Sequence, residues 1–326
     1  MGQGLGVASS VCGTTLKQLA GSSKNSLTFI WLQLARAGFS ILGMPSFHAA
    51  DGTELAYHLR GYGAPLVCLP GGPGRASAYL GDLGGLSAYR QLIMLDVRGT
   101  GGSAVPADPG SYRCDHLVED VAALQDHLAL DRFDLLGHSA GANIAVQYAV
   151  RHQQRVGKLA LITPSGRSVG LQVDDQIRRE MINLRRGEPW FAEAAAALER
   201  GADTDEDQRA IAPFFYGGWD TAARTHWAAG ESQTNEDAAR GFAAAGAFDP
   251  AATRAAVATF GSPVLVRLGH HRVPGRQALS GDERSTNAAT GRWTTVRKED
   301  GGSVSAYTLT RQDPLGSRST CPVGVS

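Results

Sequence analysis

Residues 132–152 constrain this chain more than any other stretch of it. RFDLL at 132–136 is an apolar run of strand length, and AGANIAVQYAVRH at 140–152 carries apolar residues at helical spacing. Between them stands Gly137-His138-Ser139-Ala140-Gly141. A G-x-S-x-G pattern on a strand-to-helix turn exposes a serine hydroxyl above a parallel sheet. The flanking glycines permit the close approach such a turn needs. The five-residue pattern with two open positions says little alone; the strand before it and the helix after it give it weight against the plainer reading of a loop serine.

Two upstream segments extend the pattern. PLVCL at 65–69 reads as a strand and runs into Pro70-Gly71-Gly72-Pro73-Gly74. A glycine turn after a strand leaves backbone N–H groups able to point at a developing oxyanion. Gly72 is the expected first donor, and Ala140, the residue after the serine, the second. A further strand, 91–95, ends in DVRGTGGS at 96–103, where Asp96 and Arg98 read as charges that organise a loop.

PGGPG, DVRGTGGS and GHSAG, in this order and spacing, resemble the α/β-hydrolases of the proline iminopeptidase-like group, over about residues 45–266. That group carries HGGPG, D-x-RG-x-G-x-S and G-x-S-x-G. Pro70 stands where the group has a histidine that shapes the oxyanion loop. The resemblance implies an α/β-hydrolase fold: a mostly parallel sheet flanked by helices, with an inserted helical cap. It also implies acyl transfer through Ser139, with no cofactor and no metal. The alternating strands and helices at 116–129, 132–136, 140–152 and 157–162 call for the same parallel sheet. Asp115 is the expected cap of the first helix.

The chain has 326 residues, 43% of them hydrophobic, enough for one large domain with an insertion. Lys+Arg and Asp+Glu are both 31, so the formal net charge is zero and there is no electrostatic footprint for nucleic acid or an acidic membrane. Cys12, Cys68, Cys114 and Cys321 lack metal or disulfide-framework spacing, and Cys68 falls in an expected core strand. Residues 1–43 are Gly/Ser-rich; their apolar stretch at 27–34 is too short to span a bilayer and only faintly imitates a signal peptide. They read as a disordered extension or the product of an upstream start before Met44, in a cytoplasmic protein. Residues 44–166 read as the first part of the core, starting with a hairpin about Asp51-Gly52, and 250–266 as its second part.

Residues 167–249 read as the cap. Trp190, Phe191, Phe214, Phe215, Tyr216, Trp219 and Trp227 could line a pocket or pack cap helices on one another. By the resemblance, a cap carboxylate holds the substrate's free amine. Glu180, Glu231 and Glu236 are on offer, Glu231 and Glu236 being the candidates, against the plain reading of solvated helix faces.

The C-terminal part departs from the pattern. After the expected strand at 262–266 the group continues to a loop whose Asp is the triad acid; counting from Pro263, Arg272 occupies that place. No histidine follows His271, so the general base has no candidate in its usual place. His270 and His271 come too early, His138 adjoins the serine with its ring expected to point away, and His226 lies in the cap. The other site for the acid, 163–167 (TPSGR), has no carboxylate. Residues 267–326 are dense in Gly, Ser, Thr and Arg and give no readable element. A shift of reading frame after Val266 accounts for the loss of strand, acid, base and final helix together; a divergent extension and a misplaced strand are the alternatives. The sequence therefore points to a serine hydrolase acting on N-terminal-proline peptides or another small amide or ester, with triad acid and base unassigned and activity impaired. A different capped hydrolase, such as an esterase or lactonase, and a catalytically inactive homologue are the alternatives. The oligomeric state is unknown.

Overall fold

The computed structural model describes residues 44–267 and the backbone of three further strands at 291–296, 306–312 and 318–323. β1 (Ser46–His48) and β2 (Glu54–Arg60) form the expected antiparallel hairpin. Its turn is closed by Asp51, whose Oδ1 accepts from the Thr53 N–H at 3.0 Å. There follow β3 (Pro65–Leu69), β4 (Gln91–Leu95), α1 (Cys114–His127), β5 (Phe133–His138), α2 (Gly141–Arg151) and β6 (Val156–Ile162). Five helices come next: α3 (Asp175–Asn183), α4 (Phe191–Glu199), α5 (Asp205–Ile211), α6 (Thr221–Gln233) and α7 (Glu236–Gly241). α8 (Pro250–Ala258) leads back to β7 (Val264–Arg267).

The strand order is β1-β2-β4-β3-β5-β6-β7. β4, β3, β5, β6 and β7 run parallel, while β1 and β2 are antiparallel to their neighbours. The period of two sorts each strand onto two faces. Val67, Leu69, Ile93, Leu95 and Leu135 join a large core with α1 and α2; Leu66, Cys68, Leu92, Met94 and Leu136 pack beneath the turns around Leu80. Leu92 to Leu95 are fully buried, each worth about 1.5–3 kcal/mol against exposure. Cys68 packs as a small apolar side chain, and burial pushes its thiol up to about 12. Among the described residues no helix is long and apolar enough to cross a membrane.

The loop after β4 is organised by its two charges. The Asp96 carboxylate accepts from the Ser77 N–H (2.8 Å) and hydroxyl (2.7 Å), the Gly102 N–H (3.0 Å) and His58 Nε2 (2.9 Å). Burial alone would raise its pKa, but these four bonds outweigh burial and hold it below the ordinary carboxylate value. Arg98 forks onto Asp120 on α1 and reaches Asp51 at 2.6 Å, tying the loop to helix and hairpin.

Two sequence expectations need correction. Asp115 does not cap α1: the N-cap is Arg113, without a side-chain cap bond, and Asp115 lies in the first turn. There the helix dipole favours its charge, and it accepts two bonds from the Arg113 guanidinium, at 3.0 and 2.7 Å. The C-terminal residues do contain elements: β8 (Gly291–Val296), β9 (Ala306–Gln312) and β10 (Arg318–Val323) pair antiparallel in the order β10-β9-β8. Thr, Val and Tyr are good strand formers, and that local preference outweighs the missing long-range periodicity. None of the three pairs with β7.

Candidate active site

The chain turns sharply where β5 meets α2. Ser139 has φ of +51°, in the left-handed region that costs a non-glycine residue about 1–2 kcal/mol. Its surroundings fix it there: the Ser139 N–H donates to Ile162 O at 2.9 Å, and its carbonyl accepts from Ala142 and Ser165, each at 3.1 Å. The glycines are needed for contact. A Cβ on Gly137 would lie 2.6 Å from Gly141 O, and one on Gly141 would lie 2.4 Å from Pro70 O. The first turn of α2 thus sits directly on the end of β3.

That contact brings the glycine loop onto the serine. A Cβ on Gly71 would meet the Ser139 Cβ at 2.8 Å. The Gly71 N–H donates to the Tyr79 hydroxyl at 2.6 Å, which leaves the phenol proton to donate to His138 Nδ1, also at 2.6 Å. Tyr79 therefore ties the loop to the residue before the serine. Gly72 adopts φ of +121°, open in practice only to glycine. The N–H groups of Gly72 and Ala140 donate to no partner among the described residues. Among the described residues both expected oxyanion donors are thus free, on the two segments that meet at Ser139. Pro70 is buried, and its carbonyl packs against α2.

The helical insertion meets the same place through Arg75. Its guanidinium lies 4.5 Å above the Tyr79 ring, donates from Nε to Gln233 Oε1 at 3.0 Å and from Nη2 to His226 O at 3.0 Å. The Ala76 N–H to Gln233 O bond and the Asn235 N–H to Gly74 O bond, each 2.8 Å, fasten the loop to the end of α6. The His226 ring stands edge-on to Tyr79 at 5.7 Å, and its Nδ1 is hydrogen-bonded to the Tyr216 hydroxyl at 2.6 Å. Burial lowers the pKa of His138, and His226 and Arg75 lower it further; burial and Arg75 lower that of His226. Both rings are therefore neutral at neutral pH. Sequence reading missed Tyr79 and Arg75 as parts of this cluster, and nothing in their local spacing marks them; Tyr216 was among the aromatics on offer for a pocket.

The other candidates are placed as follows. Glu180, Glu231 and Glu236 are exposed, and Glu236 pairs with Arg240 at 3.1 Å. Most insertion aromatics pack on each other: Trp190 and Phe191 on Phe214, Phe215 on Trp227, Tyr216 on Trp219. The turn after β6 brings no carboxylate. His270, His271 and Arg272 lie outside the described residues. His58–Asp96 is a histidine–carboxylate pair among the described residues, and it belongs to the loop after β4. Among the described residues no group of three or more His, Cys, Asp or Glu could hold a metal ion.

A family model described as the alpha/beta hydrolase fold matches residues 64–226, from β3 into α6. The chain belongs to this family. The proline iminopeptidase of Heyndrickxia coagulans is 32% identical over 157 residues, 48% of this chain and 53% of that protein. That of Saccharolobus solfataricus is 38% identical over 114 residues, 34% of this chain and 36% of that protein. This α/β-hydrolase thus spans about half, or less, of the length of the curated relatives it matches, and over that span it is proline iminopeptidase-like. An esterase from Rhodococcus sp. ECU1013 superposes with a TM-score of 0.50 at 23% identity, covering 69% of this chain and 80% of that one, which shows the shared fold.

Proposed function

We propose that this α/β-hydrolase is a serine hydrolase in which Ser139 is the nucleophile and the Gly72 and Ala140 N–H groups form the oxyanion hole. The observation that carries this reading is the strained Ser139 turn, pressed against a glycine loop whose next N–H has no partner among the described residues. The Ser139 oxygen attacks the substrate's carbonyl carbon, and the carbonyl's π electrons move to its oxygen, where the two N–H groups stabilise the charge. Collapse expels the amine or alcohol, which takes up the proton lost by the serine, and water then cleaves the acyl-serine ester. An effective turnover needs a base to carry that proton. The described residues place no histidine–carboxylate pair beside Ser139, so slow turnover is part of the proposal.

The similarity to proline iminopeptidases favours release of an N-terminal proline, with hydrolysis of a small ester as the second reading. Glu236 is already matched with Arg240, which leaves Glu231 as the carboxylate for a substrate amine. The proposed protein is cytoplasmic, and its residues 167–249 form the substrate-covering cap. Proline p-nitroanilide and p-nitrophenyl acetate, offered to the unaltered chain and to Ser139→Ala, test the reaction. Weak hydrolysis that disappears with Ser139→Ala supports the reading; hydrolysis that survives the substitution removes Ser139 from the chemistry.

A further inference from the structure

We propose that Arg75 is an anion subsite that binds a carboxylate of the substrate. The proposal rests on the hydrolase reading for its location beside Ser139, but not for its test. A guanidinium has five N–H donors. Two of them are used to orient it, from Nε to Gln233 and from Nη2 to His226 O. The Tyr216 hydroxyl is a further hydrogen-bonding neighbour of the guanidinium, and no described carboxylate pairs with it.

The helix facing it leaves room there. Gly230 lies within α6, where glycine is about 1 kcal/mol less favourable than alanine. A Cβ at that position would stand 3.7 Å from Arg75 Cζ and Nη1, so α6 faces the guanidinium with a residue that has no side chain. The neighbouring polar groups are neutral. His138 and His226 have lowered pKa values, and burial pushes the Tyr79 phenol up to about 12. Burial also raises the Tyr216 phenol, with Arg75 opposing it. A half-buried cation among neutral donors and acceptors suits a carboxylate, which gains charge-assisted hydrogen bonds with little competition from water. Through Tyr79 the guanidinium is linked to both Gly71 and His138, which adjoin Ser139. The substrate class this selects is a short peptide with a free C-terminal carboxylate.

The test is calorimetric titration of the intact 326-residue chain carrying Ser139→Ala, with the dipeptide Pro-Ala and with its C-terminal amide. The dipeptide should bind at least about tenfold tighter than the amide, a ratio corresponding to about 1.4 kcal/mol. Arg75→Gln should remove the difference, and Arg75→Lys should keep part of it. Without any change at Arg75, raising the salt concentration should weaken the dipeptide more than the amide. Equal affinity for both, binding of neither, or a preference that persists in folded Arg75→Gln overturns the subsite. None of these outcomes bears on Ser139, whose role is read from covalent reaction instead.

Discussion

Tyr79 shows how much of this site depends on one hydroxyl. Its oxygen accepts from Gly71 and its proton goes to His138, so a single atom ties the glycine loop to the residue before Ser139. Tyr79→Phe removes both bonds and leaves two groups near the core unpaired. Urea denaturation should show a loss of about 1–3 kcal/mol, and Ser139 should react more slowly with an acylating probe. Unchanged stability together with unchanged reactivity would show that the loop holds itself. None of this was legible in the sequence. Tyr79 and His138 are 59 positions apart, and Arg75 and His226 are 151 apart. Only the folded sheet brings such pairs together, and isolated Tyr, His and Arg side chains carry no local pattern. The sharp turn at Ser139 and the glycine turn at Gly72 were legible because a close backbone approach and a positive φ restrict which residues can stand there.

At the scale of elements, β3 and β4 have the limits expected from sequence, since short apolar runs bounded by Pro, Gly and Asp leave little choice. Helix ends were less legible, as Asp115 shows: it could cap or follow the cap, and the Arg113 pairing decides the matter. The seat of α2 on β3 should tolerate little. In Gly141→Ala the new Cβ must displace the Pro70 carbonyl or the helix, and overpacking of this kind costs about 1–3 kcal/mol; a thermal melt should show a clear drop. The loop after β4 gives a prediction in pH. Asp96 has a lowered pKa in the folded state, so it is charged and stabilising above the unfolded-state value. That contribution is lost as pH falls through the lowered folded value. Denaturation measured across the acid range should show stability falling there, with a shallower fall for Asp96→Asn. An equal slope for the two proteins would place the acid sensitivity elsewhere.

At the scale of the molecule, the parallel sheet was legible through its alternation of strand and helix, and the helical insertion through its change of composition. β8, β9 and β10 were not, because strands without a core-facing pattern resemble loops in sequence. β7 has a strand partner on one side only among the described residues, and Leu265 on it is 45% exposed. An unpaired apolar edge invites pairing between chains. Light scattering should show self-association, reduced by Leu265→Lys at unchanged stability; equal scattering would mean that the edge is covered. The proposed absence of triad partners gives the most direct test of the whole reading. A serine hydroxyl without its base should retain only about 10³–10⁴-fold reactivity over water. The measurement is fluorophosphonate labelling of the intact chain, timed by mass spectrometry and mapped to a peptide. Slow formation of a single adduct on Ser139, absent from Ser139→Ala, is the expected result. An adduct on another residue, or fast stoichiometric labelling that reveals a base beside Ser139, would contradict it.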